Sequence, residues 1–104
     1  MDREYRLELV LRRALSCNRT NQLLGFGGIA TAGNLKRTGG FYDGVIAGLA
    51  ALYPRATFAQ TREIDAMVDI MDNFRDVSIN DVSDDNFNSI CETLADIVNR
   101  VIEQ

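Results

Sequence analysis

Gly25-Phe26-Gly27-Gly28-Ile29-Ala30 meets the G-x-G-x-x-A spacing that lets a backbone approach a pyrophosphate at the start of a helix. That chemistry requires a strand before the glycines and a helix after them. Here a long amphipathic helix and a polar, turn-like segment over residues 16–22 come first, and no βαβ unit fits around the motif. The stretch reads as a flexible or close-packed connector, with small-ligand or nucleotide binding as the weaker alternative. A second array, residues 76–87, places oxygen-bearing side chains at alternating positions, as a calcium loop does. Such a loop needs glycine at its sixth position and glutamate at its twelfth. Asp81 and Phe87 stand there, so the run reads as a turn followed by a helix cap.

Catalytic groups are sparse. The chain has no histidine, which removes the commonest general base and metal ligand. Its two cysteines, Cys17 and Cys91, are too few and too separated for a zinc site and read as small buried hydrophobes. No catalytic residue, metal site or cofactor is expected, and the chain is read as a non-enzyme.

Two groups of side chains suit binding instead. Lys36 and Arg37, flanked by Phe26 and by Phe41-Tyr42, form a basic and aromatic cluster. Its cations suit an acidic or phosphate-bearing surface and its rings suit anchoring, so these five are the candidate partner-binding residues. The competing reading puts the rings in the core and leaves the cations as loop solubilisers. Asp65, Asp69, Asp72 and Asp76 recur at near-helical spacing. Carboxylates so arrayed can imitate a phosphate backbone, although a solvated helix face has the same pattern.

The elements that must position these groups are helical. Leu7, Val10, Leu11, Ala14 and Leu15 form one stripe, which predicts a helix over 3–17. Tyr5 and Leu9 fall beside that stripe and widen the apolar surface. Residues 23–44 follow, with seven of the eight glycines and three charges, and there the helical period fades. Asp43 is the expected N-cap of a helix over 43–53 that Pro54 stops. Gly44 and Gly48, and Ala47 and Ala51, make small-residue ridges on which another backbone can sit closely. The charge-free body of this helix places it at the centre of the bundle. Thr57 and Gln60 form a capping box for a helix over 58–75 with Ile64, Met67, Val68, Met71 and Phe74 as its stripe and Ile70 off it. Ser83 caps a last helix over 84–103, with Val82 and Phe87 in staple positions. Its seam, from Phe87 to Ile102, is the cleanest in the chain.

At 104 residues, 46 % apolar and 25 % charged, the chain is expected to form a single domain over 1–104. No apolar run is long enough to span a membrane, and no secretory signal opens the chain, so no membrane partner and a cytoplasmic location are expected. Residues 1–37 carry a net charge of +4 and residues 38–104 a net −8. That split suits attraction between the halves, a self-complementary dimer or steering of a charged partner. The overall −4 disfavours direct nucleic-acid binding. The expected fold is all-α, a small four-helix, bundle-like domain with an irregular glycine-rich connector between helices 1 and 2. The expected function is that of a regulatory or interaction protein binding another protein, as a homodimer. The alternative is an acidic inhibitor or decoy of a nucleic-acid-binding protein, of the kind phages and plasmids use.

Overall fold

A computed structural model describes residues 3–16 and 41–103 of the chain. Among the described residues are four α-helices and no strand: α1 (Arg3–Ser16), α2 (Phe41–Leu52), α3 (Phe58–Asp72) and α4 (Asp84–Ile102). The helices pack as a ring in which α1 touches α2, α2 touches α3, α3 touches α4 and α4 touches α1. The fold is therefore the small all-α, bundle-like domain that the apolar stripes imply. The glycine-rich connector and Cys17 lie outside the described residues.

Each helix turns its stripe inward. Leu7, Leu11 and Ala14 of α1 are fully buried, as are Val45, Ala51 and Leu52 of α2 and Met71 of α3. Ile64 and Met67 join Phe87, Ile90, Cys91, Leu94, Ile97, Val98 and Val101 of α4 in one continuous core. Burial of such side chains, at about 25 cal/mol per Å² of apolar surface, is what holds these short helices.

Two caps form as their residue types dictate. The Gln60 amide donates to Thr57 Oγ1 at 3.2 Å while the Thr57 amide donates to Gln60 Oε1 at 2.9 Å, closing the box at the start of α3. The Asn86 amide donates to Ser83 Oγ at 3.3 Å at the start of α4. Val82 and Phe87 are both buried on either side of that cap.

Three boundaries differ from the sequence pattern. Asp43 is not the N-cap of α2: Phe41 and Tyr42 are already helical, and Asp43 lies in the first turn. A carboxylate there still faces the free amides of the helix start, so its effect is electrostatic. The α-helix ends at Leu52, and Pro54 sits inside a 3-10 turn over Tyr53–Arg55, where its missing N–H leaves no ladder bond unmade. Helix α3 ends at Asp72, short of Arg75. The Phe74 amide bonds to Met71 O at 2.8 Å and the Val77 amide to Phe74 O at 3.1 Å. Through these tight turns Phe74 and Val77 still pack against the core.

Helix α2 is buried over most of its surface, as its lack of charge implies. It forms one wall between α1 and α3, however, and not the centre of the bundle. Gly48 serves the α1 contact: a Cβ placed there would stand 2.6 Å from Leu11 Cδ2 and 3.7 Å from Ala14 Cβ. Leu11 is fully buried and cannot simply swing aside.

Alanine at 48 adds about 1 kcal/mol of helix propensity and meets an overpacking penalty of about 1–3 kcal/mol. Gly48→Ala should therefore leave stability unchanged or lower it by up to about 2 kcal/mol. In a Leu11→Ala background the clash is gone, and the same substitution should stabilise by about 1 kcal/mol. A double-mutant cycle by urea denaturation checks the reversal of sign.

Candidate functional site

The described surface presents three chemically distinct regions: an arginine cluster at one end of α1 and α4, an acidic face on α3, and two apolar grooves flanking α4.

The arginine cluster starts from spacing. Arg3 and Arg6 stand one turn apart on the flank of α1 that meets α4. Arg3 Nη1 donates to Ile79 O at 3.0 Å and also to Val82 O, and Arg3 Nη2 pairs with Asp84. Arg6 Nη1 donates to Asn88 Oδ1. Both guanidinium groups lie over the Phe87 ring, at 5.0 and 5.8 Å from its centroid. Arg3 thereby supplies donors to carbonyls of the α3–α4 connector, whose only helical piece is the 3-10 turn Ile79–Asp81. The free thiol of Cys91 is buried nearby. Burial pushes its ionisation upward, and Arg6 and Arg3 oppose that push. A thiol held neutral in this way is a packing group, not a nucleophile. The same connector contains the run that resembles a calcium loop. It is a turn and a cap, with the Asn80 amide donating to Ser78 Oγ at 3.4 Å.

Asp65, Asp69, Asp72 and Asp76 are all exposed; the first three lie on α3 and Asp76 in the turn after it. They do not form a bare anionic array. Asp65 Oδ1 accepts from the Tyr53 hydroxyl at 2.8 Å, and this bond holds the Tyr53 proton more tightly than usual. Asp72 Oδ1 accepts from Arg75 Nη2 at 2.8 Å and from the Tyr42 hydroxyl at 3.1 Å. Those two donors hold the Asp72 carboxyl below the usual carboxylate range. Arg75 also lies 5.4 Å from the centroid of the Tyr42 ring.

Of the basic and aromatic cluster, Tyr42 is the one member whose side chain is described. It is half-buried against the core and ties α2 to the end of α3. Phe26, Lys36 and Arg37 lie outside the described residues, as does the side chain of Phe41, whose backbone opens α2. Among the described residues no three metal-ligating side chains gather closely enough to hold an ion.

The grooves carry the exposed apolar groups. One, of about 200 Å³, lies between α1 and α4 and is lined by Leu9, Val10, Arg13, Ala95, Val98 and Asn99. The other, of about 270 Å³, lies between α3 and α4 and is lined by residues that include Glu63, Met67, Ile70, Ile97 and Arg100. Leu9 is 46 % exposed and Ile70 47 % exposed, so each groove has a large aliphatic side chain at its edge. At the second groove, Arg100 pairs with Glu63 at 2.8 Å and Asp96 at 2.9 Å. Oε2 of Glu63 is shielded from solvent and has no hydrogen-bond partner among the described residues.

The stripes of α1 and α3 already mark Tyr5, Leu9 and Ile70 as spare apolar positions, and all three are exposed. Phe58 was not foreseen. It is 78 % exposed at the first position of α3, with Arg62 5.3 Å from its ring centroid. The available signal was its position directly after the Thr57 cap, ahead of the first stripe residue, Ile64. Arg3 and Arg6 were missed as well, and their three-residue spacing beside the apolar stripe was the clue.

No helix among the described residues is long and apolar enough to cross a membrane. Compared with protein-family models, curated proteins and solved structures, the chain finds no match.

Removing the Arg3 guanidinium leaves the Ile79 and Val82 carbonyls without their charged donor. Arg3→Gln should cost about 1–3 kcal/mol and speed amide exchange across residues 79–83. Arg12→Gln removes only the pair with Glu8 within α1 and should cost less than about 0.5 kcal/mol. Urea denaturation and hydrogen exchange on both variants check the contrast.

Proposed function

We propose that this chain is a non-enzymatic regulatory or interaction protein that binds another protein and works as a homodimer, in the cytoplasm. The observation that carries the reading is the pairing of grooves with exposed aliphatic groups. Single exposed hydrophobes are ordinary on a protein surface. Here Leu9 and Ile70 each border a groove on opposite flanks of one helix, and the groove floors continue into the core through Val98 on one side and Met67 and Ile97 on the other. Two such flanks suit two contacts, one with a second copy and one with a different protein.

The α3–α4 groove suits the foreign partner. Ile70 supplies an apolar anchor, and the unfilled Oε2 of Glu63 supplies an acceptor for a donor that arrives with the partner. The tagged chain should retain one host protein in near-stoichiometric amount. Ile70→Glu should lose that protein while its helical circular dichroism is unchanged. Capture that is absent, or equal for both forms, counts against the reading.

A second reading, an acidic decoy of a nucleic-acid-binding protein, draws on the exposure of Asp65, Asp69, Asp72 and Asp76. The same assay separates it: a decoy loses its partner when Asp65, Asp69 and Asp72 become asparagine and keeps it in Ile70→Glu.

A further inference from the structure

Helices α3 and α4 run antiparallel: Gln60 and Glu63, near the start of α3, both meet Arg100, near the end of α4, and Ile70 shares a groove with Thr93. The floor of that groove is aliphatic, from Met67, Ile70 and Ile97, and Ala66 and Thr93 line it with short side chains. A further helix can therefore lie in it at the spacing of packed helices, about 8–10 Å.

The rims have the opposite character. Asp69 stands one turn beyond Ala66 on the outward ridge of α3, and Asp85, Glu92 and Asp96 fall at i, i+7 and i+11 in one outward row on α4. All four are exposed. The nearby cations are fewer and already engaged. Arg100 is shared between Glu63 and Asp96, and Arg62 lies 5.3 Å from the Phe58 ring centroid. Carboxylate charge is thus in excess on both sides of an apolar trough.

We infer that this groove is the seat of a basic amphipathic helix belonging to another protein, with aliphatic residues along its inner stripe and lysines or arginines on both flanks of that stripe. The inference rests on the protein-binding reading above and gives the chemistry of the partner. A helix suits two charged rims around one apolar floor, because it presents a stripe with a charged margin on either side. An extended segment gains its affinity from the edge of a sheet, and the described residues contain no strand. The α1–α4 groove has the wrong sign for this ligand, since Arg13 lines it and Arg3 and Arg6 stand on the same helix. A phosphate backbone would meet like charge on the α3–α4 rims.

A displayed library of helix-forming peptides of about 18 residues, with one aliphatic stripe fixed and the flanking positions randomised, tests this on the full chain. The retained peptides should be enriched in lysine and arginine at the flanks. One of them, synthesised and labelled, should bind with a Kd below roughly 100 μM by fluorescence anisotropy. Ile70→Glu should weaken that binding at least about tenfold, and so should Asp69→Asn, Glu92→Gln and Asp96→Asn combined. The combination of Asp65→Asn, Asp72→Asn and Asp76→Asn changes the net charge equally and should leave it within about twofold. Circular dichroism verifies that each variant keeps its helix content. No retained peptide, flanks that are acidic or unbiased, or equal losses in the two triple variants overturn the inference. If a host protein is still captured in an Ile70-dependent manner, any of those failures leaves the protein-binding reading standing with a partner of other chemistry. Absence of capture counts against that reading itself, in an assay that uses no peptide.

Discussion

A leucine side chain resting on bare backbone sets the position of α1. Leu11 Cδ2 occupies space that any side chain at residue 48 would claim, so α1 and α2 approach as closely as glycine allows. Interiors are packed densely enough that such an approach has few alternatives. With α1 held there, Leu7, Leu11 and Ala14 all reach full burial, and Arg3 and Arg6 are carried to the start of α4. The connector between α3 and α4 depends on that delivery. It contains only one short 3-10 turn, and two of its carbonyls take their donors from Arg3.

Helix α4 has the opposite role. Its inner face is apolar from Phe87 to Val101, and its two outer flanks border different neighbours. On the α3 side the polar groups are tied within the chain: Arg100 bonds Glu63 and Asp96, and the Gln60 side chain donates to the Arg100 carbonyl at 3.4 Å. On the α1 side, polar contacts concentrate at the N-terminal end, around Arg3, Arg6 and Phe87, and the groove opens further along. One helix can thus present two grooves of different chemistry, because its two flanks meet different helices with different side chains.

Much of the scaffold was legible because it rests on local rules. The capping box at Thr57 and Gln60, the Ser83 cap and the inward stripes each depend on residues within a turn or two of one another. The misplaced boundaries have the reverse origin. Asp43 has the right chemistry for a cap, but helix initiation two residues earlier converts it to a first-turn charge. Phe74 continues the α3 stripe by spacing, yet it reaches the core through a tight turn that spacing cannot distinguish from another helical turn. Of the candidate site, exposure of Leu9 and Ile70 could be read from their displacement off the stripes. The grooves beside them could not, since each is made by two helices far apart in sequence. The Tyr42–Asp72–Arg75 contact joins the two sequence candidates, aromatic and acidic, for the same reason.

The uneven charge of the chain finds part of its physical meaning in the fold. Attraction between the halves is realised where Arg3 meets Asp84, one turn from the hydrogen bond that Arg6 donates to the neutral Asn88, at the N-terminal ends of two helices that are distant in sequence. Exposed pairs of this kind add little stability, typically below about 1 kcal/mol. Their larger consequence is register. A parallel α1–α4 pair held at its N-terminal ends presents arginines and acids on adjacent ridges, so the same charges that align the helices also pattern the surface between them. Arg12, paired with Glu8 along α1, spends its charge inside its own helix.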